Sequence, residues 1–443
     1  MQRIEIHNFG PIKDATIEIP KFLLLIGEQA SGKSTVAKLI YFFHSLKEGF
    51  TLRIYKHSTE KYRWENDFAI PTGQQFLHLF GYPRNEKFEI IFHYTTHNYV
   101  SIKWVNEKLT VDMSNAFKTA LKGAVYRSFI HSNRKKDLKG KQIFDPNNVD
   151  TDKFSKALQE CFGTSCKDSF YLIAERSSMV RFGNLFERLF SRELDSYIQK
   201  LSTTQNQTIE EILLMTFLDR IALLKDYFSF ANREYLKNDD IRANWMVNCM
   251  YSILKGKYSY ESEERISWGN DTKSSVLLRN ASSGQQEVIR ILQDCIWIVE
   301  QKINAFRVLE EPESHLFPLA QKKLLEFLSA MVNASKNNKL VITTHSPYIL
   351  SSANNLLFAS HVASKFPDLA EVIQSRIKNM SWINPSEFRA YALDQNQEIY
   401  CKSIVDERTG MIAQNYLDSV SDELSSEFNQ IYKLYISKIK EAK

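Results

Sequence analysis

An eight-residue string near the N-terminus constrains this chain more than any other feature. Residues 27–34 read GEQASGKS, which has the pattern G-x-x-x-x-G-K-S. A continuous apolar run at 22–26 precedes the string and predicts a buried strand, and apolar residues at helical spacing follow it up to Phe43. A glycine-rich loop between a strand and a helix presents backbone N–H groups to phosphate oxygens. The sequence therefore predicts a phosphate-binding loop at the start of an α/β core.

Two side chains of this loop indicate which ligands it binds. The Lys33 ammonium group can reach the β- and γ-phosphates of a nucleotide, and the Ser34 hydroxyl group can be a ligand of Mg²⁺. ATP and Mg²⁺ are therefore the expected cofactors. The predicted ATP-binding residues are Gly27, Gln29, Ala30, Ser31, Gly32, Lys33, Ser34 and Thr35.

Four other segments place polar residues at the end of an apolar strand or at the start of a helix. FRVLEE at 306–311 is a short apolar strand that ends in two carboxylates, and ASSGQ at 281–285 opens a helix and offers a second anion site. VITTHSP at 341–347 ends a strand with a histidine, and YLIAERS at 171–177 ends one with a charged pair. Each segment alone is most often an ordinary strand end or helix N-cap.

Taken together and in this order, the segments resemble the ABC-type ATPases of the SMC/RecF/OLD class. Those proteins carry a Walker A loop, a Q-loop, a signature, a Walker B strand and a switch histidine in the same order. The resemblance covers residues 1–44, 169–180 and 274–358. The sequence departs from the class in four places: the signature reads ASSGQ, the Walker B acid is Glu instead of Asp, the Q-loop region reads AERS, and SHLFP follows Walker B.

The resemblance implies a role for each motif. It implies that Glu311 and His345 are catalytic and that Ser34, Glu310 and Glu175 hold Mg²⁺. It also implies that two protomers sandwich ATP head to tail, so that the signature of one protomer contacts the nucleotide held by the other. The signature residues expected to act in trans are Ser282, Ser283, Gly284 and Gln285.

The expected fold is α/β, with an ABC-type P-loop ATPase core made of a mixed sheet flanked by helices. Alternating segments between 89 and 113 predict an antiparallel β meander, and an apolar stripe from Ile209 to Leu224 predicts helices in an insertion lobe. The predicted division of the chain is an ABC core at 1–44, 169–184 and 265–360, an insertion with the meander and a basic helical stretch at 45–168, a helical insertion at 185–264, and a C-terminal α/β extension for partner or oligomer contacts at 361–443.

The composition indicates a cellular compartment but says little about binding partners. The 57 Lys and Arg against 52 Asp and Glu leave a net charge of +5, which permits contact with nucleic acid without requiring it. Five scattered cysteines fit a reducing compartment, and no stretch approaches 18 consecutive apolar residues. A cytoplasmic protein that does not enter the membrane is expected.

Two other kinds of protein with such an ATPase core fit the sequence less well. A transporter cassette is compact, whereas 251 positions separate Lys33 from Gly284 here. A nuclease fused to the ATPase would need a C-terminal Glu and a paired DxD for Mg²⁺, and residues 346–443 contain no such pair. Asp150 and Asp152 have the DxD spacing but lie in an Asn/Asp-rich insertion. A built-in nuclease is therefore not expected.

Two interpretations of the protein's function remain, one in regulation and one in DNA repair. The strings ASSGQQE and LEEPESHLFP most resemble the AriA ATPases of the PARIS phage-defence system, although related ATPases also occur in retron and Septu-like systems. That resemblance implies a homo-oligomer that holds a separate TOPRIM-type nuclease and releases it on sensing a phage-encoded trigger protein. The alternative is a RecF- or SMC-like repair or recombination ATPase that binds DNA ends, for which a basic run would contact phosphates: Arg134, Lys135, Lys136, Lys139 and Lys141.

Overall fold

The structure is a computed structural model of the chain. It describes residues 1–56, 63–82, 87–126, 135–136, 142–143, 151–174, 176–181, 209–229, 240–268, 274–395 and 399–413.

The strands in the described residues belong to four sheets. In chain order they are β1 (Gln2–Phe9), β2 (Ile12–Ile19), β3 (Phe22–Gly27), β4 (Phe88–His93), β5 (Tyr99–Val105), β6 (Lys108–Met113), β7 (Lys135–Lys136), β8 (Gln142–Ile143), β9 (Asp168–Leu172), β10 (Lys257–Tyr260), β11 (Glu264–Ser267), β12 (Ser275–Leu277), β13 (Ala305–Glu310), β14 (Lys339–Thr344), β15 (Phe388–Leu393) and β16 (Cys401–Ser403).

The helices that the structure describes flank these sheets. They are α1 (Lys33–Lys56), α2 (Ile70–Phe80), α3 (Asn115–Val125), α4 (Thr151–Phe162), α5 (Ile209–Tyr227), α6 (Ile241–Leu254), α7 (Ser283–Glu300), α8 (Pro318–Val332), α9 (Pro347–Lys365) and α10 (Ala370–Arg376). A π-helical turn at Glu65–Ala69 leads into α2, and short 3₁₀ turns lie at Leu278–Asn280, Pro367–Leu369, Asn379–Ser381 and Pro385–Glu387.

A six-stranded sheet positions the predicted motifs. Its order is β16-β15-β3-β14-β13-β9, and all neighbours are parallel except the antiparallel β16. Because the carboxyl ends of parallel strands meet at one edge of a sheet, the segments that follow β3, β13, β14 and β9 come together there. The register pairs Glu310 with Thr343 and Thr344 with Ile26.

The helix α1 lies between two sheets, which is why apolar residues cover most of its surface. Alternate residues of β3 separate the two cores: Leu23 and Leu25 pack with α1, whereas Phe22 and Leu24 face the opposite side. On its other side α1 meets the five-stranded antiparallel sheet β2-β1-β4-β5-β6, where the ring centroids of Phe43 and Phe92 lie 5.0 Å apart. Burial on both faces stabilises the helix that follows the phosphate-binding loop.

Two strand pairings join segments that the sequence assigns to different domains. The meander β4-β5-β6, confirmed as antiparallel, continues the N-terminal hairpin because β4 pairs with β1, with Phe92 opposite Ile4. The C-terminal strand β15 lies inside the six-stranded sheet beside β3, with Ala390 opposite Leu24. Periodicity identifies strands but not which distant edge each one pairs with, so these two long-range pairings were not predicted.

Other expectations fall in part on segments outside the described residues. Where the sequence predicts a basic helix, Lys135–Lys136 pairs with Gln142–Ile143 as a short antiparallel ladder, and the rest of the basic run lies outside the described residues. The predicted stripe corresponds to α5, whose Leu213, Phe217 and Ile221 are buried. Among the helices described, none combines the length and the apolar character needed to cross a membrane.

Candidate active site

The predicted phosphate-binding loop joins β3 to α1 at the carboxyl edge of the six-stranded sheet. Gly32 has a φ of +93°, a conformation that L side chains rarely adopt. A Cβ atom there would also collide with the Tyr400 hydroxyl group, so the position requires glycine. Of the other predicted ATP-binding residues, Gln29, Ala30 and Ser34 are exposed, whereas Ser31 is buried and Thr35 is half-buried.

The Lys33 side chain curls back into the loop. Its Nζ donates to the carbonyl oxygens of Gly27 at 2.8 Å and Glu28 at 2.6 Å. Burial lowers the pKa of Lys33, and the nearby carboxylates of Glu311 and Glu313 oppose that shift. The ammonium group is thus held inside the loop and within electrostatic reach of the acids that follow β13.

The end of β13 places the two predicted Walker B carboxylates in different environments. Glu310 is buried, and its Oε2 accepts a hydrogen bond of 3.3 Å from the Ala174 N–H group. Glu311 is half-buried and has a φ of +41°, which is strained for a residue other than glycine. Its N–H donates to the Thr343 carbonyl at 3.0 Å, so the strand pairing of β14 holds this conformation.

Glu311 and His345, the two predicted catalytic residues, are in direct contact. His345 Nε2 lies 3.0 Å from Glu311 Oε1, and both side chains are partly exposed. His345 follows β14 immediately, and Glu311 follows its neighbour β13. A carboxylate beside an imidazole is an arrangement that can orient and polarise a water molecule.

The structure adds Glu313 to this site, a residue that sequence reasoning missed. Glu313 is buried, and its Oε1 accepts hydrogen bonds from the Thr344 hydroxyl group and, at 3.2 Å, from the His345 N–H group. Burial raises the pKa of Glu313, and the hydrogen bond from Thr344 opposes that shift. Glu313 thus ties the segment after β13 to the backbone of the predicted switch histidine.

The segment after β9 contributes Arg176, whereas its neighbour Glu175, a predicted Mg²⁺ ligand, lies outside the described residues. Arg176 is completely buried and donates to the carbonyl oxygens of Glu310 at 2.8 Å and Glu311 at 3.1 Å. Sequence reasoning noted the charged pair AERS here but assigned Arg176 no role. A charged residue at the end of an apolar strand was the available signal in the sequence.

The predicted signature forms the start of α7. Ser282 is its N-cap and forms a reciprocal capping box with Gln285, and the Ser282 side chain is exposed. Gly284 is buried against the chain that follows β13, since a Cβ atom there would collide with the His315 carbonyl oxygen. In the part of the chain that the structure describes, no hydrogen bond of residues 282–285 reaches the phosphate-binding loop.

Two residues in the turn of the C-terminal hairpin β15-β16 donate hydrogen bonds to the phosphate-binding loop. The Tyr400 hydroxyl group donates to the Ser31 carbonyl oxygen, and Gln395 Nε2 donates to the Ala30 carbonyl oxygen at 2.9 Å. Ala30 has a φ of +61°, which is strained for a residue other than glycine. The hydrogen bond from Gln395 is therefore made to a strained residue of the loop. The sequence did not predict this contact, because 365 positions separate the two residues.

The residues present fit a magnesium ion bound together with a nucleotide. Mg²⁺ is usually held by one or two protein oxygens, with phosphate oxygens and waters completing its octahedron. The Ser34 hydroxyl group at the start of α1 and the Glu310 carboxylate at the end of β13 are oxygen donors of this kind at the same sheet edge. Within the described ranges, no group of three or more His, Cys, Asp or Glu side chains forms a metal site by itself.

A phosphate-binding loop, two carboxylates and a histidine at one edge of a mixed sheet fit the core of an ATPase of the P-loop class. The comparison with protein families agrees: residues 1–350 match the family AAA_15, described as AAA ATPase domain. The chain belongs to this family, and it is an ATPase that binds ATP. No curated protein matches the sequence.

Solved structures with similar folds include three SMC head domains. The SMC head domain from Thermotoga maritima is 11% identical with a TM-score of 0.35, and the match covers 79% of this chain and 90% of that one. An SmcHead bound to the C-winged helix domain of ScpA is 10% identical, with a TM-score of 0.40 and coverages of 92% and 98%. An Smc head domain with an extended coiled coil, bound to the C-terminal domain of ScpA and derived from Pyrococcus furiosus, is 11% identical, with a TM-score of 0.39 and coverages of 96% and 100%.

Proposed function

We propose that this ATPase hydrolyses ATP with Mg²⁺ at composite sites, each made by two protomers arranged head to tail. The observation that carries the proposal is that, within the described residues, the exposed serine of the signature makes no hydrogen bond to the phosphate-binding loop. Lys33, Glu310, Glu311 and His345 gather at one sheet edge. Ser282 is exposed at the N-terminus of α7, and its hydrogen bonds to described residues stay within the first turn of that helix. An exposed helix N-terminus offers N–H groups and a positive end to the γ-phosphate of a partner's nucleotide.

The roles of the residues follow from their chemistry. The Lys33 ammonium group neutralises charge on the β- and γ-phosphates, and Ser34 and Glu310 are the ligands for Mg²⁺, which stabilises negative charge on those phosphates when it is bound. Glu311, in contact with His345, accepts a hydrogen bond from the attacking water and polarises it. Phosphoryl transfer depends mainly on positioning and charge neutralisation. Hydrolysis therefore requires the signature of the partner protomer at the nucleotide.

Mixing two inactive variants tests the composite site. Ser282→Arg places a bulky cation where the partner's phosphate would lie, and Lys33→Ala removes the phosphate contact within a protomer. Each variant alone is expected to lose hydrolysis, whereas their mixture is expected to recover a measurable part of the wild-type rate. The ceiling is about a quarter, because random mixing makes half of the dimers heterodimers and each of these retains one complete site. Phosphate release by the mixture, against each variant at the same total concentration, measures the rescue. Sites formed within one chain would give none.

We further propose that ATP hydrolysis regulates a separate effector, as the resemblance to the PARIS ATPases suggests. Supporting this, the C-terminal region expected to contact partners, residues 361–443, exposes large apolar side chains, among them Phe366, Leu369 and Val372. The effector is expected to be a nuclease of the TOPRIM type, held until a phage-encoded trigger protein arrives.

Co-expression with the neighbouring reading frames tests this regulatory role. A nuclease-like neighbour that co-purifies, and whose retention differs between wild type and Glu311→Gln, supports it. A neighbouring repair or replication gene, or Mg²⁺-dependent cleavage of nucleic acid by the isolated chain, would instead contradict it.

A further inference from the structure

One buried arginine connects the chain segments that form the catalytic edge. The guanidinium group of Arg176 is completely buried, and its Nη1 donates to the carbonyl oxygens of Ile173 at 2.6 Å and Glu310 at 2.8 Å. Its Nη2 donates to the Glu311 carbonyl at 3.1 Å, and its Nε donates to the Glu287 carbonyl at 3.0 Å. One rigid planar group thus holds the end of β13 and the second turn of α7.

The Glu287 side chain completes this connection from the helix. Its Oε2 accepts from the Arg176 N–H group at 2.9 Å, and its Oε1 accepts from the Ser177 N–H group at 2.9 Å. Glu287 is buried and lies five residues after Ser282, the exposed N-cap of α7. A displacement of the signature end of α7 therefore acts directly on the arginine.

The other end of the connection is the strained residue Glu311. Its positive φ sets the direction in which the carboxylate leaves the backbone toward His345. Arg176 binds the carbonyl groups on both sides of that residue's N–H group, those of Glu310 and Glu311. Moving these carbonyl groups changes the peptide planes on which the carboxylate direction depends.

We propose that Arg176 is a positioning residue that couples the signature helix α7 to the carboxylates at the end of β13. The inference rests on the proposed composite site, because there α7 of one protomer serves the partner's nucleotide while β13 serves its own. Contact of α7 with the partner's nucleotide then sets the position of Glu311 in the same protomer. Arg176 thus makes hydrolysis at one composite site depend on nucleotide at the other.

The variant Arg176→Lys tests the coupling while it keeps the positive charge. An ammonium group cannot span the four carbonyl oxygens that the guanidinium group joins, so α7 and β13 are expected to become independent. We expect kcat to fall by about 10- to 100-fold, because small misplacements of catalytic groups have effects of this size, with KM for ATP changing little. The Hill coefficient for ATP, expected above 1 in the wild type, should fall to about 1.

A matched control comes from the same helix. Arg290 is buried on α7 and pairs with Glu264 of β11 at 2.7 Å, and none of its described contacts involves β13. Arg290→Met removes a buried charge from α7, so it is expected to lower the melting temperature while retaining kcat and the Hill coefficient. The second variant, Glu287→Gln, keeps the arginine and serves as the test if Arg176→Lys does not fold. It is expected to lower the Hill coefficient for ATP.

The outcomes separate this inference from the composite site itself. A wild-type Hill coefficient of 1, or a variant that loses rate but keeps the wild-type Hill coefficient, overturns the coupling. If Arg176→Lys behaves as wild type while Ser282→Arg and Lys33→Ala still complement each other, the coupling is wrong and the composite site stands. Hydrolysis at the wild-type rate by Ser282→Arg alone overturns the composite site, and the coupling with it.

Discussion

Replacing Glu311 with glutamine is expected to reduce ATP hydrolysis by about 10²- to 10³-fold while leaving ATP bound. Glutamine keeps the size of the side chain but loses the negative charge that polarises the attacking water, and general-base effects are typically of this magnitude. The Glu311 side chain contacts His345, whereas the phosphate-binding loop and Lys33 remain as in the wild type. Steady-state phosphate release and the nucleotide content of the purified protein are the two measurements.

The matched variant Lys33→Ala should behave in the opposite way. It removes the ammonium group that the loop carbonyls of Gly27 and Glu28 now hold, so nucleotide binding itself is expected to be lost. The pair of variants therefore separates binding from hydrolysis. Hydrolysis at the wild-type rate by Glu311→Gln would show that another residue polarises the water.

Removing Arg307 is expected to have the largest effect on stability. Arg307 lies in the middle of β13, is completely buried, and pairs with Asp294 of α7 at 2.5 Å and with Asp168 of β9 at 2.6 Å. The charges of the two carboxylates raise the pKa of Arg307 against the effect of burial. Arg307→Met leaves the Asp294 carboxylate buried, with Arg220 at 3.5 Å as its remaining ion-pair partner among the described residues. Losing one partner of a buried pair typically costs about 3–5 kcal/mol.

An exposed ion pair supplies the control for Arg307→Met. Lys103 and Glu89 are 2.7 Å apart on neighbouring strands of the five-stranded sheet, and both are substantially exposed. Because solvent screens such pairs, Lys103→Met should change the free energy of unfolding by about 1 kcal/mol or less. Urea unfolding followed by circular dichroism measures both variants. Equal small effects would mean that water reaches the Arg307 cluster.

Much of the candidate site could be predicted from the sequence because its motifs are local. The loop at 27–34 lies between a strand and a helix, as expected, and the carboxylates of 310–311 follow a fully buried strand. The contact between Glu311 and His345 was not itself predicted, but the order of the motifs placed both residues in one site. Each of these expectations depends on residue types within about ten positions along the chain.

Residues that act through long-range contacts were not found in this way. Arg176 reaches Glu287 across 111 positions, and Tyr400 reaches Ser31 across 369. Glu313 stands close to Glu310 and Glu311 in the sequence, but the hydrogen bonds that it accepts from Thr344 and His345 depend on the pairing of β13 with β14. A buried charge or a tyrosine has no spacing rule that names its partner.

The sequence by itself determined the chemistry of this protein: the phosphate-binding loop, the carboxylates, the histidine and the order in which the chain presents them. Those features depend on backbone conformations and side chains that neighbouring residues impose. Only the tertiary structure decided that β4 continues the N-terminal hairpin, that β15 completes the ATPase sheet, and that Arg176 joins α7 to β13. Pairing of distant strands and burial of charges depend on which surfaces meet once the chain is compact, and sequence periodicity does not record that information.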